Sequence, residues 1–421
     1  MTLILVLFVL IALGMPISFA LGMTGLSFFA EHAISLQTFA QRFAVGLDNF
    51  GLMAAPFFIL AGVIMNRSGI TSKIFNFANS IVGPLPGGLG HVNVFASTIF
   101  AGMSGTAIAD AAGLGPIEIK AMTDHGYDIK FSTAVTAASS VIGPIIPPST
   151  VMIMYGITAQ VSISRLFLGG VIPGLIIALA EMGLVAIYSL KRHYPRSDRF
   201  SWKNLWSTFK EAIWAMITPI IIIGGILGGI CTPTEAGAIA SVYALICGIF
   251  VYKTISWKDI PSILWETALT SGVILVIVST ASIFGWCLTF AKVPQAVAAA
   301  ISAITSHKTV MLLIITAIYL FLGMIMETTA IILTTVPIML PVVKLLGIDP
   351  VYLGVLIAII MSIGTITPPV GTVLFILSKV TGLSIEELTV EMVPWYALLA
   401  IVLLLLIFIP DLVMFIPSLV Q

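Results

Sequence analysis

The chain has 421 residues, of which 59% are hydrophobic and only 9% charged, with 18 basic and 18 acidic side chains in balance. Soluble domains carry about a quarter charged residues, so a water-facing globule is excluded and much of this surface is built for lipid. Neutral charge leaves no basic surplus for nucleic acid, and isolated Cys231, Cys247 and Cys287 with five scattered histidines offer neither CxxC spacing nor a metal cluster.

The chain is apolar from Thr2 onward and lacks the basic leader of a cleaved signal, so this stretch reads as a retained first membrane helix. Apolar segments near the ~20 residues needed to cross a bilayer are read at 2–25, 50–66, 88–113, 131–160, 166–190, 211–230, 234–252, 263–290, 309–340, 351–380 and 394–416. Three of them are not simple spans. The segment 88–113 holds GMSGTAIADAAGLGP, too rich in glycine and small polar residues for a lipid-facing helix. GPIIPPST interrupts 131–160, and GTITPPVGT interrupts 351–380. The pairs Pro147–Pro148 and Pro368–Pro369 remove backbone donors and clash with the preceding turn, so each helix must open there.

Basic residues set orientation. Lys191, Arg192, Arg196, Arg199, Lys203 and Lys210 make 191–210 the expected cytoplasmic loop. The next two spans return the chain to the same side at Lys253 and Lys258, and Trp202, Trp206, Trp257 and Trp265 flank them as interface aromatics do.

A shift of 221 residues superposes two parts of the sequence without a gap. Phe100 and Met103 fall on Phe321 and Met324, Pro116 on Pro337, and Gly126 and Asp128 on Gly347 and Asp349. Gly143, Pro147 and Pro148 fall on Gly364, Pro368 and Pro369, and Pro173 on Pro394. The matches are mostly glycine and proline, which dictate backbone shape. The expected division is a first half, 1–190, the loop 191–210, and a second half, 211–421. Inversion of the halves requires an odd number of crossings between copies, and segments 73–82 and 294–305 leave that count open.

Paired broken helices in corresponding halves point to a transporter's central site. Unwound backbone inside a bilayer survives only where a cavity, an ion or a ligand satisfies it. Opened carbonyls suit Na⁺, and the amides of a half-helix N-terminus suit a carboxylate. Hydroxyls gather at these breaks: Ser104, Thr106, Ser139, Ser140, Ser149 and Thr150 in the first half, and Thr328, Thr329, Thr365, Thr367 and Thr372 in the second. Such residues also cap helices or bond the preceding turn. Asp110 and Glu327 are acids within the interrupted segments, and intramembrane acids ask for a cation or donors. Glu327 can help hold Na⁺ or meet substrate hydroxyls, while Asp110 can instead be a helix-end residue reaching water. Glu235 in TPTEAG reads as a helix cap. Lys292 and Arg165, at helix ends, either attract an anion or snorkel to the interface. The sequence shows no GxxxxGK[ST], no Ser/His/Asp set and no HExxH, which argues against an enzyme or an ATP-binding module on this chain.

TPTEAGAIASVYAL at 232–245, FAGMSGTAIAD at 100–110, GPIIPPSTVMIMYG at 143–156 and LGMIMETTAIILTTVPIMLPV at 322–342 resemble the large membrane subunit of tripartite ATP-independent periplasmic (TRAP) transporters. The resemblance runs through essentially the whole chain in order. It implies an all-α polytopic membrane protein of elevator type, with two inverted repeats and a mobile domain carrying two re-entrant hairpins, here at about 97–119 and 324–342. With them come the broken helices at about 131–160 and 351–380. It further implies one Na⁺ site from Ser104, Gly105 and Thr106 with Ser139, Ser140 and Gly143. A second would use Glu327, Thr328 and Thr329 with Gly364, Thr367 and Thr372. Glu327 stands where family members often carry Asp. The anionic substrate lies between the ion sites, and the side chains put forward to meet it are Ser149, Thr150, Glu327, Lys292 and Arg165. No cofactor is implied beyond Na⁺ as coupling ion. The implied partners are a separate small four-helix membrane subunit and a soluble periplasmic binding protein that delivers an organic acid such as a C4-dicarboxylate or a sialic acid. The implied setting is the bacterial inner membrane. The competing expectation is a stand-alone ion or anion exchanger of related architecture, which would place titratable groups where this chain has mostly Ser and Thr.

Overall fold

The computed structural model describes residues 2–48, 50–196, 200–293, 296 and 307–419. Within them every regular element is helical. The chain opens with α1 (Thr2–Ala12) and α2 (Ile17–Glu31), so the span expected at 2–25 is two helices. Pro16, which cannot donate to a preceding turn, separates them. α3 (Leu36–Val45) begins on Ser35, whose hydroxyl accepts from the Thr38 amide. α4 (Ala54–Arg67) and α5 (Ile70–Val82) meet at a 72° bend. Segment 73–82 is therefore the outer part of α5, packed on its neighbours rather than an isolated span.

Next come α6 (Gly88–Ser104), α7 (Ala107–Gly113) and α8 (Gly115–Asp124), then α9 (Ile129–Ser140) and α10 (Thr150–Ala159). Asp128 caps α9 through the amides of Lys130 and Phe131, and Ser149 caps α10 through the Met152 amide. Between those helices residues 141–149 leave the helical path at Pro147–Pro148. Four long helices follow: α11 (Ile163–Arg192), α12 (Trp202–Leu227), α13 (Pro233–Ile246), which runs on as a π-helical turn to Val251, and α14 (Ile260–Phe290). At the start of α13 the Thr232 amide donates to the Glu235 carboxylate at 2.8 Å while Thr232 Oγ1 accepts from the Glu235 amide, the reciprocal cap expected from TPTEAG.

The described chain resumes with α15 (Lys308–Gly323), α16 (Thr328–Leu345), α17 (Pro350–Thr365), α18 (Thr372–Thr381), α19 (Ile385–Phe408) and α20 (Asp411–Leu419). The stretch expected at 309–340 is thus two helices joined by a turn at 324–327. The limbs around both turns extend beyond 97–119 and 324–342. The segment 294–305 lies outside the described residues apart from Ala296. Lys203 and Lys210 belong to α12 rather than to a loop, and all four flanking tryptophans are exposed. Among the described residues six helices are long and apolar enough to cross a membrane, with a seventh if the bent pair α4–α5 is one span.

In lipid, helices associate through close packing rather than through loss of water-exposed surface. Small residues carry that here. Gly25 on α2 admits Ile283 of α14, and Gly354 on α17 admits Tyr155 of α10, each closer than a Cβ would allow. The packing is also crosswise: α7 lies against α18, and α16 lies against α10. The helix following each turn therefore rests on the far portion of the other half's broken helix, which brings both turns and both breaks into one region.

Candidate functional site

The first turn is built by Ser104, Gly105 and Thr106. Gly105 has φ +64°, a left-handed conformation that ends α6 and that glycine adopts without Cβ strain. Thr106 then starts α7, its hydroxyl accepting from the Ala109 amide at 3.1 Å. This turn docks into the break of α9–α10. Thr150 directs its amide (3.4 Å) and hydroxyl (3.3 Å) to the Gly105 carbonyl, and Gly143 passes so close to Thr106 that a Cβ there would stand 2.9 Å from the Thr106 oxygen.

The second turn is built on the same plan. Glu327 caps α16, its carboxylate accepting from the Ala330 amide at 3.1 Å and the Thr329 hydroxyl at 2.9 Å. The Val370 amide donates to the Met324 carbonyl at 3.1 Å, tying the break of α17–α18 to the turn. Freed backbone groups of one element thus find partners in the other, as unwound backbone at membrane depth requires.

Between the turns lies a cavity of about 90 Å³. Its polar lining comes from Thr106 and Thr150 on one side and from Glu327, Thr328, Thr329, Ser362 and Thr365 on the other. An adjoining cavity of about 90 Å³ shares Ile108, Glu327, Thr328 and Thr365 and adds Gly371 and Thr372. The first turns of α10 and α16 open onto the first cavity, so backbone amides and the positive ends of two helix dipoles face it. No lysine or arginine lines either cavity among the described residues, and Glu327 is the charged side chain in both.

The residues singled out in the sequence fall into distinct groups. Thr106, Thr150, Glu327, Thr328 and Thr329 line the first cavity, with Thr372 in its neighbour. Ser139, Ser140, Ser149 and Thr367 are occupied: their hydroxyls donate to Asn93 Oδ1, Ala137 O, Pro144 O and Ile363 O at 2.8, 2.7, 2.5 and 2.6 Å. Gly143 and Gly364 serve as points of close approach. Ser104 and Thr372 are different, because each hydroxyl is buried with no hydrogen-bond partner, one in each half at a turn–break contact.

Each orphaned hydroxyl, beside carbonyls of opened backbone in its own half, offers oxygen ligands of the kind that suit a hard monovalent cation such as Na⁺. Among the described residues no His/Cys/Asp/Glu group is placed to hold a metal ion. Lys292 and Arg165, put forward as substrate contacts, line neither cavity. Arg165 pairs with Asp349 at 3.9 Å, and Lys292 is exposed at the end of α14. Ser362, which does line the cavity, was overlooked. Its signal was its place one turn before the Thr365–Thr367 cluster on the same helix.

The model of the tripartite ATP-independent periplasmic transporter, DctM component, matches residues 4–412. The chain belongs to this family. It is 42% identical over 407 residues to the sialic acid TRAP transporter large permease protein SiaM of Vibrio cholerae, covering 96% of this chain and 95% of that protein. The C4-dicarboxylate TRAP transporter large permease protein DctM of Rhodobacter capsulatus is 35% identical over 425 residues, covering 96% of each. An isethionate TRAP transporter permease protein, DctMQ of Oleidesulfovibrio alaskensis, is 39% identical over 407 residues, 96% of this chain and 64% of that longer protein. Among solved structures, the YdaH transporter of Alcanivorax borkumensis superposes with TM-score 0.65 at 16% identity over 89% of this chain and 88% of that one, a likeness of fold. As a TRAP large permease the chain is a transporter subunit rather than an enzyme, and a multi-pass protein of the bacterial inner membrane. Its family works with a substrate-binding protein and a small membrane subunit.

Proposed function

We propose that this permease is a sodium-coupled symporter of a small organic anion, a carboxylate of the kind named for its relatives such as a sialic acid or a C4-dicarboxylate. A soluble periplasmic binding protein delivers the anion, and a separate small four-helix membrane subunit completes the transporter. In this reading residues 1–190 and 211–421 are inverted repeats joined by a basic cytoplasmic segment, 191–210, whose second part is the start of α12. The two turns and broken helices move together against the remaining helices, as an elevator.

The observation that carries the proposal is the cavity between the turns, lined by hydroxyls from both halves and by helix N-termini, with Glu327 at its wall. An anion entering it meets the Thr106 and Thr328 hydroxyls, while those of Thr150 and Ser362 already donate to Gly105 O and Ala358 O, but it also meets the Glu327 carboxylate. Bound Na⁺ supplies positive charge that offsets this repulsion. The Glu327 carboxylate then makes anion binding depend on the ion, because two ligands that bind better together raise each other's affinity by the same factor. The Ser104 and Thr372 hydroxyls, left without protein partners, are the side-chain donors available to hold that charge.

The test is uptake of labelled organic acids into liposomes holding this chain and its small subunit, with the binding protein outside. Uptake that needs both an inward Na⁺ gradient and the binding protein supports the proposal. Uptake equally fast without either overturns it and favours a stand-alone exchanger.

A further inference from the structure

Away from the two cavities, the first half buries three carboxyl groups in one seam. Asp110 on α7 is 1% exposed, and Glu118 on α8 and Glu181 on α11 are 0% exposed. Asp110 Oδ2 accepts from the Ser97 hydroxyl at 2.9 Å. Asp110 Oδ1 and both carboxyl oxygens of Glu118 and of Glu181 have no hydrogen-bond partner. None of the three takes part in an ion pair among the described residues.

Helix packing brings them together. α6 and α11 run antiparallel, with Ser189 against Gly87 and Val185 against Gly90. Glu181, one turn from Val185, therefore faces the stretch of α6 that carries Asn93 and Ser97. On the other side, the Asn93 amide reaches Met122 Sδ at 3.8 Å, and Glu118 lies one turn before Met122 on the same face of α8. Asp110 is within electrostatic reach of both Glu118 and Glu181. A hydrogen-bonded thread continues from Ser97 to Ser139 (3.1 Å), from Ser139 to Asn93 (2.8 Å) and from Asn93 to Thr136 (2.7 Å).

Three acids at this depth need neutralising. One ionised side chain at a helix centre costs about 2.5–3.5 kcal/mol on insertion scales, and like charges within reach add to that. A metal ion is a poor occupant, because these side chains do not converge as a metal-holding group among the described residues. A proton needs only one carboxyl oxygen and asks for no convergence. Other charged groups on the packed elements lie toward helix ends that reach solvent, in the pairs Arg67–Glu266, Lys73–Glu211, Lys120–Asp124, Lys130–Glu387, Arg165–Asp349 and Arg192–Glu391 or exposed as at Lys191, Lys203, Lys210, Lys379, Glu386 and Asp411. Besides tyrosines, the other buried titratable side chain on these elements is His91 of α6.

We propose that Glu118 and Glu181, facing the Asn93–Ser97 stretch of α6 from α8 and α11, form an intramembrane proton-binding site separate from the threonine-lined cavities, with Asp110, bonded through its amide to Thr106 at 3.2 Å, a buried neighbour and not one of its proton carriers. The site goes beyond the transport reading and does not depend on it, since proton occupancy is measurable without substrate.

The test is infrared spectroscopy of the purified full-length chain in lipid nanodiscs at neutral pH. The expected result is a protonated-carboxyl band that shifts in D₂O and shifts again when glutamate is ¹³C-labelled at its side-chain carboxyl. Glu118→Gln and Glu181→Gln each remove part of the band, whereas Glu31→Gln, at an exposed helix end, leaves it intact. Glu327→Gln, in the threonine-lined cavity, leaves the labelled band intact; loss of the band in that variant overturns the proposal even where a Glu118 or Glu181 variant fails to fold. Absence of a glutamate-derived band overturns the proposal, and so does a band that disappears on adding Na⁺, which assigns the pair to a cation.

Discussion

Gly364 lies directly against Gly323: a Cβ at 364 would come within 2.9 Å of the Gly323 Cα and carbonyl carbon and 3.0 Å of its oxygen. The contact holds the end of α17 to the end of α15, just ahead of the turn that presents Glu327. Because backbone faces backbone, no side chain can rotate away to make room.

Gly364→Ala should therefore displace the second turn. Overpacking of this kind costs about 1–3 kcal/mol, and each 1.4 kcal/mol is about tenfold in an equilibrium. The expected outcome is a loss of reconstituted uptake of about fivefold or more, with the chain still inserted and folded. Gly183→Ala is the control, since a Cβ there meets nothing within 4 Å. Equal activity in both variants would mean that the contact does not govern the site.

The first turn offers a comparison that separates backbone strain from collision. Gly105 and Gly126 both have positive φ, +64° and +84°. A Cβ on Gly105 would lie 2.6 Å from the Pro148 carbonyl oxygen, whereas one on Gly126 finds open space. Alanine pays roughly 1–2 kcal/mol for the left-handed backbone at either position. Gly105→Ala should add the collision, lowering the thermal unfolding temperature further than Gly126→Ala and reducing uptake as well. Matching losses would show that the turn has room to shift.

The breaks and turns were legible because proline and glycine constrain backbone whatever surrounds them. Pro147–Pro148 and Pro368–Pro369 lie within the non-helical segments between α9 and α10 and between α17 and α18. Limb lengths were not legible, because apolar helices on either side of a short turn read as one hydrophobic run, as at 309–340. The ion pair of Arg165 was not legible for another reason: its partner Asp349 is 184 residues away in sequence, and pairing at that range is set by packing. Glu118 and Glu181 went unnoticed because a single acid in a helix looks like a solvated one until the neighbouring helix is in place. The α6–α11 contact decides the burial of Glu181, the packing of α8 on α6 and α9 decides that of Glu118, and no local pattern encodes either.

The reciprocal cap at Thr232 and Glu235 tests stability apart from transport. Replacing an N-cap threonine by alanine costs about 0.5–2 kcal/mol. Thr232→Ala and Glu235→Ala should each lower the unfolding temperature in detergent. The double variant should lose less than the sum, because the Thr232 hydroxyl also donates to the Glu235 carboxylate at 2.9 Å and either single change already removes that bond. Uptake per folded molecule should stay within about twofold of the unaltered chain, a difference worth under 0.5 kcal/mol. A strictly additive double loss would show that the two caps act independently.

Hydroxyls separate the proposed ion sites from ordinary helix chemistry. Ser104 and Thr372 have buried hydroxyls without partners, whereas the Thr367 hydroxyl already donates to Ile363 O at 2.6 Å. If the unpartnered pair holds Na⁺, Ser104→Ala and Thr372→Val should each raise the Na⁺ concentration giving half-maximal uptake, by about tenfold for a loss near 1.4 kcal/mol. Thr367→Val should leave that concentration nearly unchanged. Thr328→Ala and Thr329→Ala probe the cavity wall itself. Thr329 also donates to Glu327 at 2.9 Å, so its loss frees a carboxylate lone pair and should weaken anion binding more than Na⁺ binding. Titrating Na⁺ at saturating anion, and anion at saturating Na⁺, separates the two effects. A Na⁺ response altered by Thr367→Val but not by Thr372→Val would move the second ion site away from the start of α18, to the end of α17.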